Sequence, residues 1–217
     1  MSSHPAPPAP VRFAFSSTAD GDLRDNRENR ERFARRVGAP LRWAELRQVH
    51  GSAVVEAKGP GHLGEGDALF TRELGVALAV FVADCVGLVV TADSGVGVAH
   101  AGWRGAFAGV AASLVENMTA AGLKPLSAHM SPSIGACCFE VGPEVAVQFP
   151  HATATTNSGR VSIDLWKAIA AQLPVPLEPG PGCTYHDESY LSHRKMSAEV
   201  GSDNVGRMVA LAWREEK

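Results

Sequence analysis

Val76-Ala77-Leu78-Ala79-Val80-Phe81-Val82-Ala83, Val86-Gly87-Leu88-Val89-Val90-Thr91-Ala92 and Val96-Gly97-Val98-Ala99-His100 follow one another with only Asp84-Cys85 and Asp93-Ser94-Gly95 between them. Runs of β-branched and small apolar residues read as strands, and the short polar breaks as turns. Breaks this short suit antiparallel turns and predict a meander, with the first and third strands parallel on either side of the second. The C-terminal ends of those two strands then share one sheet edge, two strand spacings or roughly 10 Å apart. That edge carries Cys85 and His100, and inward-reaching side chains can close such a gap onto one ion.

Working outward, Val11 to Ser16 reads as a strand. Asp22 to Val37 reads as a charged helix, with Leu23, Phe33 and Val37 apolar and Gly38-Ala39-Pro40 as its stop. Its many Arg and Glu residues suit a solvated face with i,i+4 pairs. Arg42–Val49 and Ala53–Ala57 are expected strands around His50-Gly51. Residues 59–66 are expected as a flexible glycine-rich loop, because no Gly-Lys-Ser/Thr follows to make a phosphate loop. Downstream, Gly105–Ala121 has helical apolar spacing with Gly122 at its stop. Ser127–Ile134 is an expected strand, Pro143–Phe149 a short helix with proline first, Ile163–Leu173 a helix and Val205–Trp213 a strand. No internal repeat or composition shift divides the chain. The expectation is a disordered Pro/Ala-rich tail over residues 1–10 and one catalytic domain over 11–217.

The bulk properties set limits. At 217 residues the chain suits one large α/β domain able to bury its own core. A net charge of −3 makes no electrostatic case for nucleic acid, which calls for a basic face. No apolar run reaches the 18 or more residues of a membrane span. The first ten residues have neither a basic nor an apolar region of a secretory signal, so a cytoplasmic location is expected. In that reducing setting, the four cysteines point to metal or catalytic use rather than a disulfide framework.

Three residues stand where strand-like runs end: His50 in Arg47-Gln48-Val49-His50-Gly51, Cys85 and His100. Two imidazoles and a thiolate suit zinc, and three protein ligands with a free position is the arrangement of a catalytic metal site. The same Cys85 and His100 also suit a thiolate nucleophile activated by an imidazole. The two readings largely exclude each other, since zinc on the thiolate quenches its nucleophilicity. A blander reading leaves Cys85 as a small buried residue and each histidine with one hydrogen bond. Arg47, Arg104 and Arg194 are candidate forks for phosphate or carboxylate, with Gln48 beside them, and surface ion pairing is the alternative. Cys137, Cys138 and Cys183 read as core residues. His62, His129, His151, His186 and His193 show no ligand spacing, and His4 sits in the tail.

At these residues the chain resembles the YfiH-type proteins, long labelled multicopper polyphenol oxidases or laccases and now described as purine nucleoside phosphorylases. The resemblance rests on Arg47 to Gly51, Asp67-Ala68-Leu69-Phe70-Thr71, Ala83-Asp84-Cys85 and His100-Ala101-Gly102-Trp103-Arg104-Gly105. It continues through Ser133-Ile134-Gly135-Ala136-Cys137-Cys138-Phe139-Glu140-Val141-Gly142, Asp164-Leu165-Trp166, Cys183-Thr184 and Gly206-Arg207-Met208. These segments appear in family order across residues 43 to 213.

The resemblance implies an α+β fold, a single-domain layered α/β/β/α sandwich with mixed β-sheets. It implies Zn2+ held by His50, Cys85 and His100, with purine nucleosides and phosphate as partners. It also implies adenosine deaminase and methylthioadenosine phosphorylase activity. One branch of the family is linked to editing cell-wall UDP-sugar peptide precursors, which would make this chain a Cys–His amidase or peptidase. The segments Ser16–Gly21, Ser131-Pro132 and Tyr190–Lys195 depart from the family pattern and bear on substrate contacts, those of Arg194 above all. Copper-oxidase chemistry is a poor match: such sites are built on His-x-His pairs, and none of the eight histidines here forms one. The Pro-Cys-x-x-Cys half of the zinc base deaminases' His-x-Glu and Pro-Cys-x-x-Cys signature is absent as well.

Overall fold

The computed structural model describes residues 10–201 and 204–215. Apart from Pro10, the expected tail lies outside the described residues, and so does His4. The elements run in the order β1 (Val11–Phe15), α1 (Arg27–Val37), β2 (Trp43–Arg47), β3 (Val54–Glu56), β4 (Gly61–Glu65), β5 (Ala68–Thr71) and β6 (Ala77–Val82). Next come β7 (Val86–Ala92), β8 (Val96–Ala101), α2 (Trp103–Phe107), α3 (Val110–Ala120) and β9 (Pro125–Met130). The chain closes with α4 (Pro143–Ala146), β10 (Thr153–Thr155), β11 (Val161–Ile163), α5 (Leu165–Ala170), β12 (Leu177–Glu178), α6 (His193–Val200) and β13 (Met208–Arg214).

Two mixed sheets form the centre. One has the order β1-β13-β6-β2-β4 and the other β12-β9-β7-β8-β5-β3. Strand alternation assigns each side chain to a layer. Leu78, Val80, Ala210 and Ala212 from the first sheet meet Leu69, Val89, Val96 and Val98 from the second. On the outer face of the first sheet, Ala79, Phe81, Val209 and Leu211 pack under Phe33 and Ala34 of α1. On the outer face of the second, Leu88, Val90 and Ala99 pack under Ala106, Val110, Leu114, Met118 and Ile169. The result is a single-domain α/β/β/α sandwich, the architecture expected from the family resemblance. No helix among the described residues is long and apolar enough to cross a membrane.

The meander does not form. β6 pairs with β13 and β2 in the first sheet, whereas β7 pairs with β8 and β9 in the second. Ala83-Asp84-Cys85 is therefore a corner that carries the chain from one sheet to the other, with Asp84 at a left-handed φ of 77°. All six residues of β6 are buried, and a run buried on both faces carries no alternation to say which sheet receives it. A two-residue break serves a corner as well as a hairpin.

Other boundaries moved for local reasons. The expected loop at 59–66 contains β4, an edge strand parallel to β2, with Ala44 opposite Gly61 and Glu45 opposite His62. An edge strand needs only one paired side, so its glycines and its solvent exposure are tolerated. The helix expected over Gly105–Ala121 is two helices, broken where Gly109 takes φ 79°. The helix expected from Ile163 starts at Leu165, because Asp164 caps it by accepting from Lys167 N at 3.0 Å and Ile163 belongs to β11. Helix α6, capped by Ser192, has no counterpart in the sequence reading.

Candidate active site

His50, Cys85 and His100 offer ligand atoms that all lie within 4.8 Å of one another. Each arrives by a different route. His100 is the fifth residue of β8, paired across to Gly87 on β7, so Cys85 at the entrance to β7 is one strand away rather than two. His50 stands on the turn after β2, at a left-handed φ of 61°. Left-handed backbone at two non-glycine residues, His50 and Asp84, is held strain at a site, maintained by the contacts around it. His100 is 3% exposed, Cys85 half-buried and His50 exposed, so the group opens to solvent on the His50 side.

The residue that assembles the group is Asp67, fully buried just before β5. Its carboxylate accepts from the backbone N–H of Val49, His50 and Gly51 at 3.2, 3.0 and 2.7 Å. It also takes the Nδ1–H of His100 at 2.9 Å, and its carbonyl accepts from His100 N at 2.7 Å. This assignment of the His100 proton follows from the carboxylate partner. It leaves Nε2 free as a ligand, the carboxylate–histidine arrangement that supports metal ligands. Burial works against the Asp67 charge, but His100 and the Gly51 and Val49 amides outweigh it and hold the carboxyl below its ordinary range. In the sequence Asp67 stands at the head of Asp67-Ala68-Leu69-Phe70-Thr71 with nothing local to mark its role.

The electrostatics of the group follow from this packing. Burial disfavours a thiolate at Cys85, yet the His100 charge and hydrogen bonds from His100 and His50 bring the thiol down to about 6. Burial also disfavours an imidazolium at His100, yet the Cys85 charge and the Asp67 hydrogen bond raise it to about 9. Asp84 supports the corner from behind by accepting from Thr184 Oγ1 and from Arg194 N, both at 2.6 Å.

The three residues sit on the wall of a cavity of about 700 Å³, within the range of small-molecule sites. Phe81, Trp103 and Phe139 give it aromatic surface, and Arg24, Arg30, Arg47, Arg104, Arg194 and Arg207 a cationic rim. Several of these cations are committed elsewhere. Arg47 pairs with Glu65, Arg30 with Glu45 at 2.8 Å and Arg24 with Asp25 at 2.9 Å. Among the described residues, Arg104, Arg194 and Arg207 make no ion pair. Arg104 lies over Trp103, 4.4 Å from the ring centroid, and Arg194 over Phe139 at 5.5 Å. Gln48 turns its amide onto the backbone of Phe81, donating to its carbonyl at 2.8 Å and accepting its N–H at 2.7 Å. Arg207, His62 and His193 also line the cavity and carried no assignment from sequence.

Gly102 supplies the space in which the group fits. A Cβ there would lie 2.8 Å from Cys85 Sγ and 3.3 Å from His50 Cδ2. Its φ of −75° suits any residue, so the constraint is contact and not backbone. If the group holds a metal, Gly102→Ala is expected to weaken its binding by about 1–3 kcal/mol, the cost of overpacking, or about 5- to 150-fold in Kd. Chelator competition with purified protein measures it; an unchanged Kd would show that Cys85 and His50 move apart freely.

The chain matches the family described as multi-copper polyphenol oxidoreductase laccase over residues 11–215. It is 34% identical to a purine nucleoside phosphorylase of Pseudomonas aeruginosa over 212 residues, covering 91% of this chain and 84% of that one. It is 32% identical to the purine nucleoside phosphorylase YlmD of Geobacillus stearothermophilus, covering 90% of this chain and 81% of that one. The crystal structure of YlmD from the same organism superimposes with a TM-score of 0.80 at 27% identity, covering 97% of this chain and 94% of that chain.

Proposed function

The chain belongs to the multi-copper polyphenol oxidoreductase laccase family, and from that premise we propose that it is a zinc-dependent purine nucleoside phosphorylase. One observation carries the reading: two imidazoles and a thiol from three separate segments converge on the wall of a cationic, partly aromatic cavity. Two relatives about one third identical along most of their length are named for this activity. The donor set fits zinc. Nitrogen and sulfur are its preferred ligands, and His50, Cys85 and His100 make three, the number of a catalytic site. Bound there, zinc supplies a Lewis acid at the cavity wall.

The reaction joins a phosphate oxygen to the anomeric carbon of the nucleoside and breaks the bond from that carbon to the base. The base leaves with the bonding electron pair and takes up a proton. Arg104 and Arg194 are proposed to hold the phosphate, since a guanidinium fork matches its oxygens and neither makes an ion pair among the described residues. Trp103 and Phe139, the rings beneath these two cations, offer apolar faces for the purine. Asp67 keeps His100 in one orientation and one tautomer. We propose adenosine, inosine, guanosine and methylthioadenosine as substrates. Deamination of adenosine by water, releasing ammonia and inosine, is proposed in the same cavity, and a cytoplasmic location fits such substrates.

The test is adenosine incubated with zinc-loaded protein, with and without phosphate. Adenine and ribose 1-phosphate that form only with phosphate are the expected products, and inosine reports the deaminase. Protein that releases neither adenine nor inosine overturns the reading. A second reading draws on one specific observation: Cys85, His100 and Asp67 form a chain in which the thiol is lowered to about 6. That is the arrangement of a cysteine amidase or peptidase, here acting on UDP-sugar peptide precursors. Protein isolated free of metal and alkylated at Cys85 favours it, whereas about one zinc per chain lost on Cys85→Ser favours the phosphorylase.

A further inference from the structure

Away from the three cavity donors, a second group of soft donors forms where the turn after Ile134 meets the segment beginning at Cys183. Cys137 Sγ, Cys138 Sγ and His186 Nε2 lie within 4.8 Å of one another, with Cys138 Sγ 3.0 Å from His186 Nε2. Cys183 borders the group, and its sulfur accepts from Gly135 N at 3.2 Å. By sequence the cysteines read as core residues, and His186 has no ligand spacing. The structure places all three cysteines at partly exposed positions and brings an exposed His186 to two of them.

The backbone prepares this group. Ser133 and Cys183 form a parallel bridge, Thr184 N donates to Ser133 O at 3.0 Å, and His186 N donates to Cys183 O at 3.2 Å. On the other side, Cys138 N and Phe139 N both donate to Gly135 O at 3.0 Å. A Cβ at Gly135 would lie 3.2 Å from Cys137 Sγ and 3.6 Å from Cys183 Sγ, so the glycine keeps the space between those two thiols clear.

We propose that Cys137, Cys138 and His186 form a second metal site for a thiophilic d10 cation such as zinc, with Cys183 moving in as a fourth donor when the ion binds. Thiolate and imidazole donors select such ions over magnesium or calcium, and the group contains no carboxylate. Each coordinating thiol gives up its proton to solvent as the metal–sulfur bond forms. With Cys183 recruited, four protein donors would close the coordination sphere, as in a structural site. Its position gives it a job. Phe139, next to Cys138, lines the main cavity, and the carbonyl of Glu140 accepts from Arg194 Nη2 at 3.1 Å. An ion here would clamp to the Cys183 segment the wall that anchors Arg194.

The test uses full-length protein, reduced and stripped with a chelator, then titrated with Zn2+ against a chromophoric competitor. Wild type is expected to bind about two zinc ions and Cys85→Ser about one. In the Cys85→Ser background, Cys138→Ser and His186→Ala are each expected to weaken the remaining site at least about tenfold. Co2+ in that background should give a thiolate-to-cobalt charge-transfer band that Cys138→Ser diminishes. Because His186 is exposed, His186→Ala carries the test should Cys138→Ser fail to fold. A Cys85→Ser protein that binds no zinc overturns this second site, as does one whose affinity ignores His186→Ala. If wild type and Cys85→Ser each bind one zinc, the second site stands and the cavity site falls, so the two outcomes separate.

Discussion

Cys85→Ser is expected to abolish metal binding at the cavity and to lower phosphorolysis by about 10³-fold, with the fold intact. Serine has nearly the same shape, and the corner at Asp84 is held by Thr184 Oγ1, Arg194 N and the bond from Ile134 N to Asp84 O at 2.9 Å, none of which involves the thiol. Stability should therefore change little. The hydroxyl, however, stays protonated where the thiol of Cys85 is drawn down to about 6 by the two histidines, so it is a poor ligand. A metal acting as Lewis acid contributes several kcal/mol of barrier lowering, and about 4 kcal/mol corresponds to about 10³ in rate. Metal content per chain, adenine release and the thermal unfolding midpoint measure the three parts. Full activity in metal-depleted Cys85→Ser protein would remove Cys85 from the chemistry altogether.

Asp67→Asn tests the support behind the ligands. One carboxylate accepts from three consecutive backbone amides and from His100. An asparagine has one acceptor oxygen and turns an NH2 towards donors that need an acceptor. Burial leaves no water to make up the loss, because Asp67 is fully enclosed. The expected cost is about 2–4 kcal/mol of stability, or roughly a 5–15 °C fall in Tm for a chain of this size. Metal affinity at the cavity should fall about 10- to 100-fold, as for other groups that orient ligand histidines. The sign with pH follows from the lowered carboxyl. Its stabilisation is complete above the unfolded value and is lost as pH falls through the lower folded one. Wild type should thus lose stability in acid more steeply than Asp67→Asn. Matching acid profiles would show that the Asp67 charge does little in the fold.

Several site features were readable as local chemistry. His50, Cys85 and His100 each stand where an apolar run ends, and a polar ligand breaking such a run is visible without coordinates. Asp67 was harder, because its partners lie 16 to 33 positions away in the chain and nothing in its own neighbourhood declares them. Cys137 and Cys138 meet His186 only because Ser133 bridges to Cys183. An adjacent cysteine pair has no spacing that announces a ligand set. Gln48 shows the converse: its position beside Arg47 suggested a substrate contact, and the fold gives both ends of its amide to Phe81.

Residue chemistry alone determined where β6, β7 and β8 would lie, and that Cys85 and two histidines stand near the ends of strands. β-Branched runs act over a few residues, so their message is complete in the local sequence. Which sheet receives β6 was decided only in three dimensions. A strand covered on both faces is satisfied equally by either partner until whole layers compete for burial. That choice turns Ala83-Asp84-Cys85 into a corner between sheets, and the corner sets Cys85 beside His100 and within reach of His50.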